Sequence, residues 1–306
     1  MGRIAEALKK AQEERSRRLR VGGDPGGRGT GGSILTPDSP EGVQLRKALA
    51  PATRLGGDVC YAIPPNRGIG VSAPIPPRPA WDVHPTVVAA HDHSCAITEQ
   101  YRAVRTWLLR RNATGRHECI AITSSIPREG KSVTTANLAV VMSEVRHMKV
   151  LAMDFDLRQG SLSKLYKLPG SPGLADVLAG EAPLEEAITT TPFGNLSFLP
   201  AGICRGRNPA ELVNSKTAAH VFEEIRERFH FTLVDTPPVR RLSDVGVIGA
   251  LCTGIVVIVR MNKTASHVVR QSLHWLQANN LDVIGCIAAD CCVRGARYEY
   301  ENDNDD

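Results

Sequence analysis

The run Cys119 to Asn137, CIAITSSIPREGKSVTTAN, decides the fold. Its first four residues are apolar and lead to a polar break, which predicts a short buried strand. After a loop, the sequence predicts a helix from about Ser132. A strand, a loop ending in Gly-Lys-Ser and a helix make the phosphate-binding P-loop arrangement. The physical basis is that loop N–H groups and a helix N-terminus present partial positive charge to a phosphate. Arg128, Glu129, Gly130, Lys131, Ser132 and Val133 form the candidate cradle. Lys131 has the length to reach the β- and γ-phosphates, and the Ser132 hydroxyl can ligate Mg²⁺. Ser125 stands where the usual pattern has its first glycine. From this run alone, a plain helix start with Lys131 and Ser132 facing solvent stays open.

Two further stretches bear on that choice. Lys149–Asp156, KVLAMDFD, reads as a second buried strand with Asp154 and Asp156 at its C-terminal end, followed by Arg158. Phe231–Asp235, FTLVD, is a third apolar strand ending in an aspartate, stiffened by Pro237-Pro238. In a doubly wound sheet, ligands bind beyond the carboxyl ends of the strands. An apolar strand ending in Asp has the form of a Walker B element, so Asp235 is a candidate Mg²⁺ group.

Around these runs, strands and helices alternate. Helices are expected over residues 98–111 with Thr98 as N-cap, over 172–179, over 184–188, from Asn208 to about Arg228, over 245–251 and over 265–279. Further strands are expected over 195–199, 254–259 and 283–290. Alternation over 119–290 predicts an α/β fold, a doubly wound and mostly parallel sheet of P-loop NTPase type covered on both faces.

The chain has 306 residues, enough for one large domain with extensions. Its net charge of +5 is too mild to imply a nucleic-acid partner. None of its eight cysteines falls in a C-x-x-C pair, which favours reduced thiols and a cytoplasmic setting. No apolar run approaches the ~18 residues of a membrane-spanning helix.

Residues 1–20 are expected to form a basic amphipathic helix, suited to an acidic lipid surface or a partner, or simply to solvent. Residues 21–86 are rich in Gly and Pro and are expected to be a disordered linker. The folded domain is expected over 87–294, followed by an acidic tail over 295–306. Glu99, Arg102 and Arg105 recur every three residues on the 98–111 helix, as a solvated face or as a ridge that meets another subunit. Tyr298 and Tyr300 lie in the tail, where packing gives them no role, and they are candidate phosphoacceptors.

The ordered set ITSSIPREGKS, LAMDFDLR and LVDTPP resembles the bacterial tyrosine kinases called BY-kinases, which accompany capsule and exopolysaccharide export. The likeness extends to PGLADVLAGE, NLSFLPAG, NPAEL and VIVRMNKT, and covers roughly residues 95–294. Glu99, Arg102 and Arg105 match the family's E-x-x-R-x-x-R oligomerisation helix. Related ATPases of the ParA/MinD type carry a signature lysine where this chain has Ile126, which favours the kinase branch.

The resemblance implies a tyrosine autokinase using ATP and Mg²⁺. It implies Asp154 as base toward the tyrosine, Asp156 as a metal group beside Ser132 and Asp235, and Arg158 as support. It implies a ring or dimer in which one tail enters a neighbouring site. It further implies a membrane polysaccharide co-polymerase as activator and peripheral recruitment to the inner face of the plasma membrane. There are departures. Arg128 sits where the family commonly has Gly, the tail has two tyrosines rather than a longer cluster, and no membrane activator segment is present. These leave an alternative: a non-kinase P-loop ATPase that regulates assembly of a membrane exporter.

Overall fold

The computed structural model describes residues 60–63 and 82–290, apart from 113–115, 169, 214, 240–241 and 262. Four helices come from the first half of the domain: α1 (Val88–His91), α2 (Ala96–Arg111), α3 (Lys131–Ser143) and α4 (Ser161–Tyr166). Six follow: α5 (Leu174–Leu178), α6 (Leu184–Ala187), α7 (Pro209–Val213), α8 (Lys216–Arg228), α9 (Leu242–Leu251) and α10 (Ser266–Ala278). The strands are β1 (Cys60–Ile63), β2 (Glu118–Ser124), β3 (Val150–Asp154), β4 (Thr189–Thr190), β5 (Leu196–Leu199), β6 (Phe231–Asp235), β7 (Gly254–Arg260) and β8 (Val283–Ala289).

They form one eight-stranded sheet in the order β1-β8-β7-β2-β6-β3-β5-β4. Every pair is parallel except β4 with β5. The α/β fold expected from the alternation is present. β3 and β6 are buried along their whole length, as strands covered on both faces must be.

Alternate residues feed opposite cores. Ile120, Ile122, Val150, Ala152 and Leu233 pack with α1–α4 on one face. Leu151, Met153 and Val234 pack with α5–α8 on the other, while Ala121, Ile255 and Val257 meet α9 and α10. α3 is buried almost all round, because α2, α4 and the sheet enclose it. Asn137 anchors the segment before it: its Oδ1 accepts from Ala89 N–H (2.9 Å), and its Nδ2 donates to Thr86 O (3.0 Å) and Val133 O (2.8 Å). Tyr166 closes the same layer, donating to Ala136 O (2.9 Å).

Several expected boundaries shift. α2 starts at Ala96 after Cys95, and Thr98 instead donates its hydroxyl to Asp92 O at 2.6 Å. The helix expected from Asn208 breaks in two, because Ser215 caps a fresh start by accepting from Ala218 N–H at 3.2 Å. The expected linker over 21–86 contains β1, which lies parallel to β8 at the sheet edge. Packing also begins before residue 87, since Val83 is buried and His84 N–H donates to Leu165 O. β1 is short and its neighbours are Gly/Pro-rich, so nothing local announced a strand that pairs far along the chain with β8. The helices α1 and α4 and the two-residue β4 were too short to leave a periodic pattern. The expected helix over 1–20 and the tail over 295–306, with Tyr298 and Tyr300, lie outside the described residues.

Candidate active site

The cluster is built where β2, β3 and β6 end. β2 runs into the loop 125–130, and α3 starts at Lys131 behind Gly130, whose φ of 98° is left-handed and favours glycine. Arg128 also has positive φ, at 66°, so the position expected to want glycine does bend that way. A non-Gly residue there costs about 1 kcal/mol or more.

Glu129 explains how the loop is nevertheless fixed. Its buried carboxylate accepts from Ile126 N–H (2.7 Å), from Arg260 N–H (3.2 Å) and from the Thr264 hydroxyl. Arg260 also donates to Arg128 O at 3.4 Å. The Glu129 side chain is thus a tether to the end of β7, and its backbone stays in the candidate cradle. The first N–H groups of α3, at Lys131, Ser132 and Val133, have no acceptor within the helix.

Lys131 Nζ lies 3.3 Å from Asp156 Oδ2, 3.6 Å from Asp235 Oδ1 and 3.3 Å from Ser132 Oγ. All four residues are buried, as is Asp154. Asp154 is the register partner of Asp235 across β3 and β6. Its Oδ2 accepts from Ser163 N–H (2.8 Å) and Oγ (2.7 Å), and its Oδ1 accepts from Asp156 N–H (3.3 Å).

Burial pushes the pKa of both Asp154 and Asp235 up, against the pull of Ser163 on the first and of Lys131 on the second. Burial also pulls Lys131 down, but Asp235, Asp156 and Asp154 outweigh it and hold the ammonium charged.

One ammonium faces three carboxylates, so the cluster is short of positive charge. Among the described residues Asp156 Oδ1 and both Asp235 oxygens are buried without a hydrogen-bond partner. A buried acceptor left unmet is costly, and these are the lone pairs a divalent cation would use. No three His, Cys, Asp or Glu side chains close on one metal position among the described residues. That fits Mg²⁺, which is held with nucleotides by one or two carboxylates plus phosphate oxygens and water.

Two sequence-derived candidates sit differently. Arg158 is exposed and its Nε donates to Asp244 Oδ2 at 3.2 Å, not to the carboxylates beside Lys131. Glu99, Arg102 and Arg105 are not a free stripe. Arg102 donates to Glu99, to Glu144 (2.9 and 2.7 Å) and to His93 O (2.6 Å). Arg105 donates to Glu144 Oε2 and Val141 O, both at 2.7 Å. Glu144 caps the C-terminus of α3, so the ridge is tied to the far end of the P-loop helix. Arg102 and Arg105 draw the Glu144 pKa down against its burial. Ser163 and Glu144 carried no signal in the sequence, because each acts across many residues of chain.

A family model described as an AAA domain matches residues 117–279, over half of the chain. The tyrosine-protein kinase YwqD of Bacillus subtilis is 30% identical over 201 residues, covering 66% of this chain and 84% of that protein. The chain belongs to the bacterial tyrosine-protein kinase family.

Among other members, the tyrosine-protein kinase ptk of Acinetobacter johnsonii is 32% identical over 213 residues, 69% of this chain. The chain spans only 29% of that relative's length. The solved BceF tyrosine kinase domain superposes with a TM-score of 0.61 at 29% identity, covering 66% of this chain and 81% of that one. The residues that this kinase-family domain gathers around Lys131 all fall inside the matched region. No helix among the described residues is long and apolar enough to cross a membrane.

Proposed function

We propose that this domain transfers the γ-phosphoryl group of ATP to tyrosine hydroxyls, with Tyr298 and Tyr300 of a neighbouring copy as acceptors. The observation that carries it is the buried Lys131 facing Asp156 and Asp235, three of whose oxygens have no hydrogen-bond partner among the described residues. Lys131 and the N–H groups from Arg128 to Val133 bind the phosphates. Ser132, Asp156 and Asp235 hold Mg²⁺, which neutralises charge on the transferring group.

Asp154 takes the phenolic proton. The phenol oxygen bonds to the γ-phosphorus as the bond to the β,γ-bridging oxygen breaks, and ADP leaves. A free tyrosine hydroxyl has a pKa near 10, so a positioned base contributes about 10²–10⁴-fold. Burial raises the Asp154 pKa and makes it a better base, and Ser163 orients it. Arg158 supports the site from its rim. Tyrosine phosphorylation follows the names of the relatives, while ATP and Mg²⁺ use follows from the P-loop and the carboxylates beside it. Assembly into a ring or dimer through Glu99, Arg102 and Arg105, activation by a membrane polysaccharide co-polymerase, and control of exopolysaccharide export at the inner membrane face complete the reading.

The test is incubation of the full chain with ATP and Mg²⁺, followed by mass spectrometry of the tail. Added phosphate at Tyr298 or Tyr300 is expected, and Asp154→Asn should lose it while still binding ATP. Undiminished phosphotyrosine in Asp154→Asn removes that residue from the role. ATP hydrolysis with no phosphotyrosine would favour the assembly-ATPase alternative.

A further inference from the structure

Two sulfurs meet at the end of the sheet opposite the carboxylate cluster. Cys119 is the second residue of β2 and is buried in the core that holds Leu151, Met153 and Val234. Cys252 follows α9 in the turn before β7 and is half-buried against the same core. The Cys119 thiol points at Cys252 Sγ from 3.7 Å, and both cysteines are free. The backbone holds them there. Thr253 N–H donates to Cys119 O at 2.7 Å, and Cys119 N–H donates to Thr253 Oγ1 at 3.0 Å. The next residues along, Ile120 and Gly254, are register partners of the parallel pair β2–β7. One strand spacing sideways and one residue along put the Cys119 and Cys252 Cα atoms about 6 Å apart. A disulfide spans roughly 4.4–6.8 Å between Cα atoms and about 2.05 Å between sulfurs, so turning the two side chains closes the gap without moving a strand.

We propose that Cys119 and Cys252 are an oxidation site: a hydroperoxide joins them in a disulfide that locks the start of the P-loop strand to the turn behind α9. Cys252 is the half-buried member, so its sulfur meets the peroxide. The sulfur attacks one peroxide oxygen, the O–O bond breaks, and water leaves with the thiol proton, giving a sulfenic acid. The Cys119 sulfur then attacks the sulfenic sulfur. An S–S bond forms, the S–O bond breaks, and the hydroxyl leaves with the Cys119 proton as a second water. Two thiols are oxidised by two electrons, and one peroxide is reduced to two waters.

Burial lifts the Cys252 pKa well above its ordinary value, with Cys119 adding to the rise and Arg226 opposing it. Thiolate is therefore scarce at neutral pH, and the pair stays reduced until peroxide is sustained. The bond closes the long chain segment from 119 to 252 and so restricts the unfolded chain. Ser124, where β2 ends at the P-loop, lies about 17 Å further along the strand. The lock therefore acts on stability and leaves the nucleotide site as it is.

The experiment treats the full chain with hydrogen peroxide, then maps it by non-reducing trypsin digestion and mass spectrometry. The tryptic peptides HECIAITSSIPR (117–128) and LSDVGVIGALCTGIVVIVR (242–260) hold one cysteine each, so a linked pair identifies the bond. That pair is expected, and dithiothreitol should reverse it. The oxidised chain should melt about 5–15 °C above the reduced chain and bind ATP equally well. Cys252→Ala and Cys119→Ala should each lose both the linked pair and the rise in melting temperature. No linked pair in peroxide sufficient to oxidise the chain's methionines overturns the site. A linked pair with an unchanged melting temperature, or with weakened ATP binding, overturns the lock.

Discussion

Asp154 and Asp235 are register partners across the parallel pair β3–β6, so their side chains leave the sheet on one face, toward Lys131. Strand spacing alone brings two buried carboxylates side by side, and burial raises the pKa of both. The sign of the resulting pH dependence is set by linkage. An acid with a raised folded pKa adds stability below its ordinary value near 3.8, and that stability is lost as pH rises through the raised value. Asp235→Asn therefore removes a penalty carried by the ionised, ligand-free protein. It should raise unfolding free energy by about 1–2 kcal/mol near pH 8 and change little near pH 4. It should also abolish the further stabilisation that Mg²⁺ with nucleotide gives the wild type. Denaturant melts at the two pH values, with and without ligand, check both.

The tether at Glu129 gives a second prediction. Its two oxygens accept from three donors. Glu129→Gln puts an amide N–H against at least one of them, at a cost of about 1–3 kcal/mol. At about 2–4 °C per kcal/mol for a domain of this size, the melting temperature falls accordingly. Nucleotide affinity should fall with it, because Arg128 keeps its left-handed φ only while Glu129 and Arg260 pin the loop. Thermal melts and ATP titration read the two effects, and unchanged affinity would mean the loop holds its shape without the tether.

Glu144 tests the ridge. It takes charge-assisted hydrogen bonds from both Arg102 and Arg105. Glu144→Gln should cost about 1–2 kcal/mol, since the three side chains are about a fifth to a quarter exposed. Arg102→Ala should reduce the oligomer mass seen by light scattering. Unchanged mass would confine the ridge to a bond within one subunit, joining α2 to the end of α3.

His117 carries the second pH prediction. Burial, helped by Arg226 and His230, lowers its pKa to about 4. Its Nε2 meets the Thr232 hydroxyl at 3.0 Å, while its buried Nδ1 has no hydrogen-bond partner among the described residues. A depressed histidine adds stability above its ordinary value of 6.5, and that stability is lost as pH falls toward 4. Discounted for the exposed part of the ring, the loss is about 1 kcal/mol between pH 7 and pH 4. Urea melts of His117→Gln should lack that component.

How much of this could be read from the chain depends on range. The P-loop strand, the two Asp-terminated strands and their order were legible because each is a run of consecutive residues with one period. Lys131, Ser132, Asp156 and Asp235 were legible for the same reason, since strand ends in such a sheet point to one place. The tethering role of the Glu129 side chain was not legible, because only the fold reveals that Arg260 and Thr264 stand opposite it. Ser163, Glu144 and β1 were invisible: each acts through a partner far along the chain. Arg158 was legible as a basic group near the site, but its bond to Asp244 was not.

The most direct measurement is a crystal structure of the domain with Mg²⁺ and a non-hydrolysable ATP analogue. The account predicts Lys131 Nζ withdrawn from Asp156 and bound to the terminal phosphates. It predicts Mg²⁺ at about 2.0–2.1 Å from Ser132 Oγ, with Asp235 and Asp156 in its coordination shell directly or through one water. A nucleotide bound with Lys131 still on the carboxylates, or a metal with neither aspartate beside it, would contradict it.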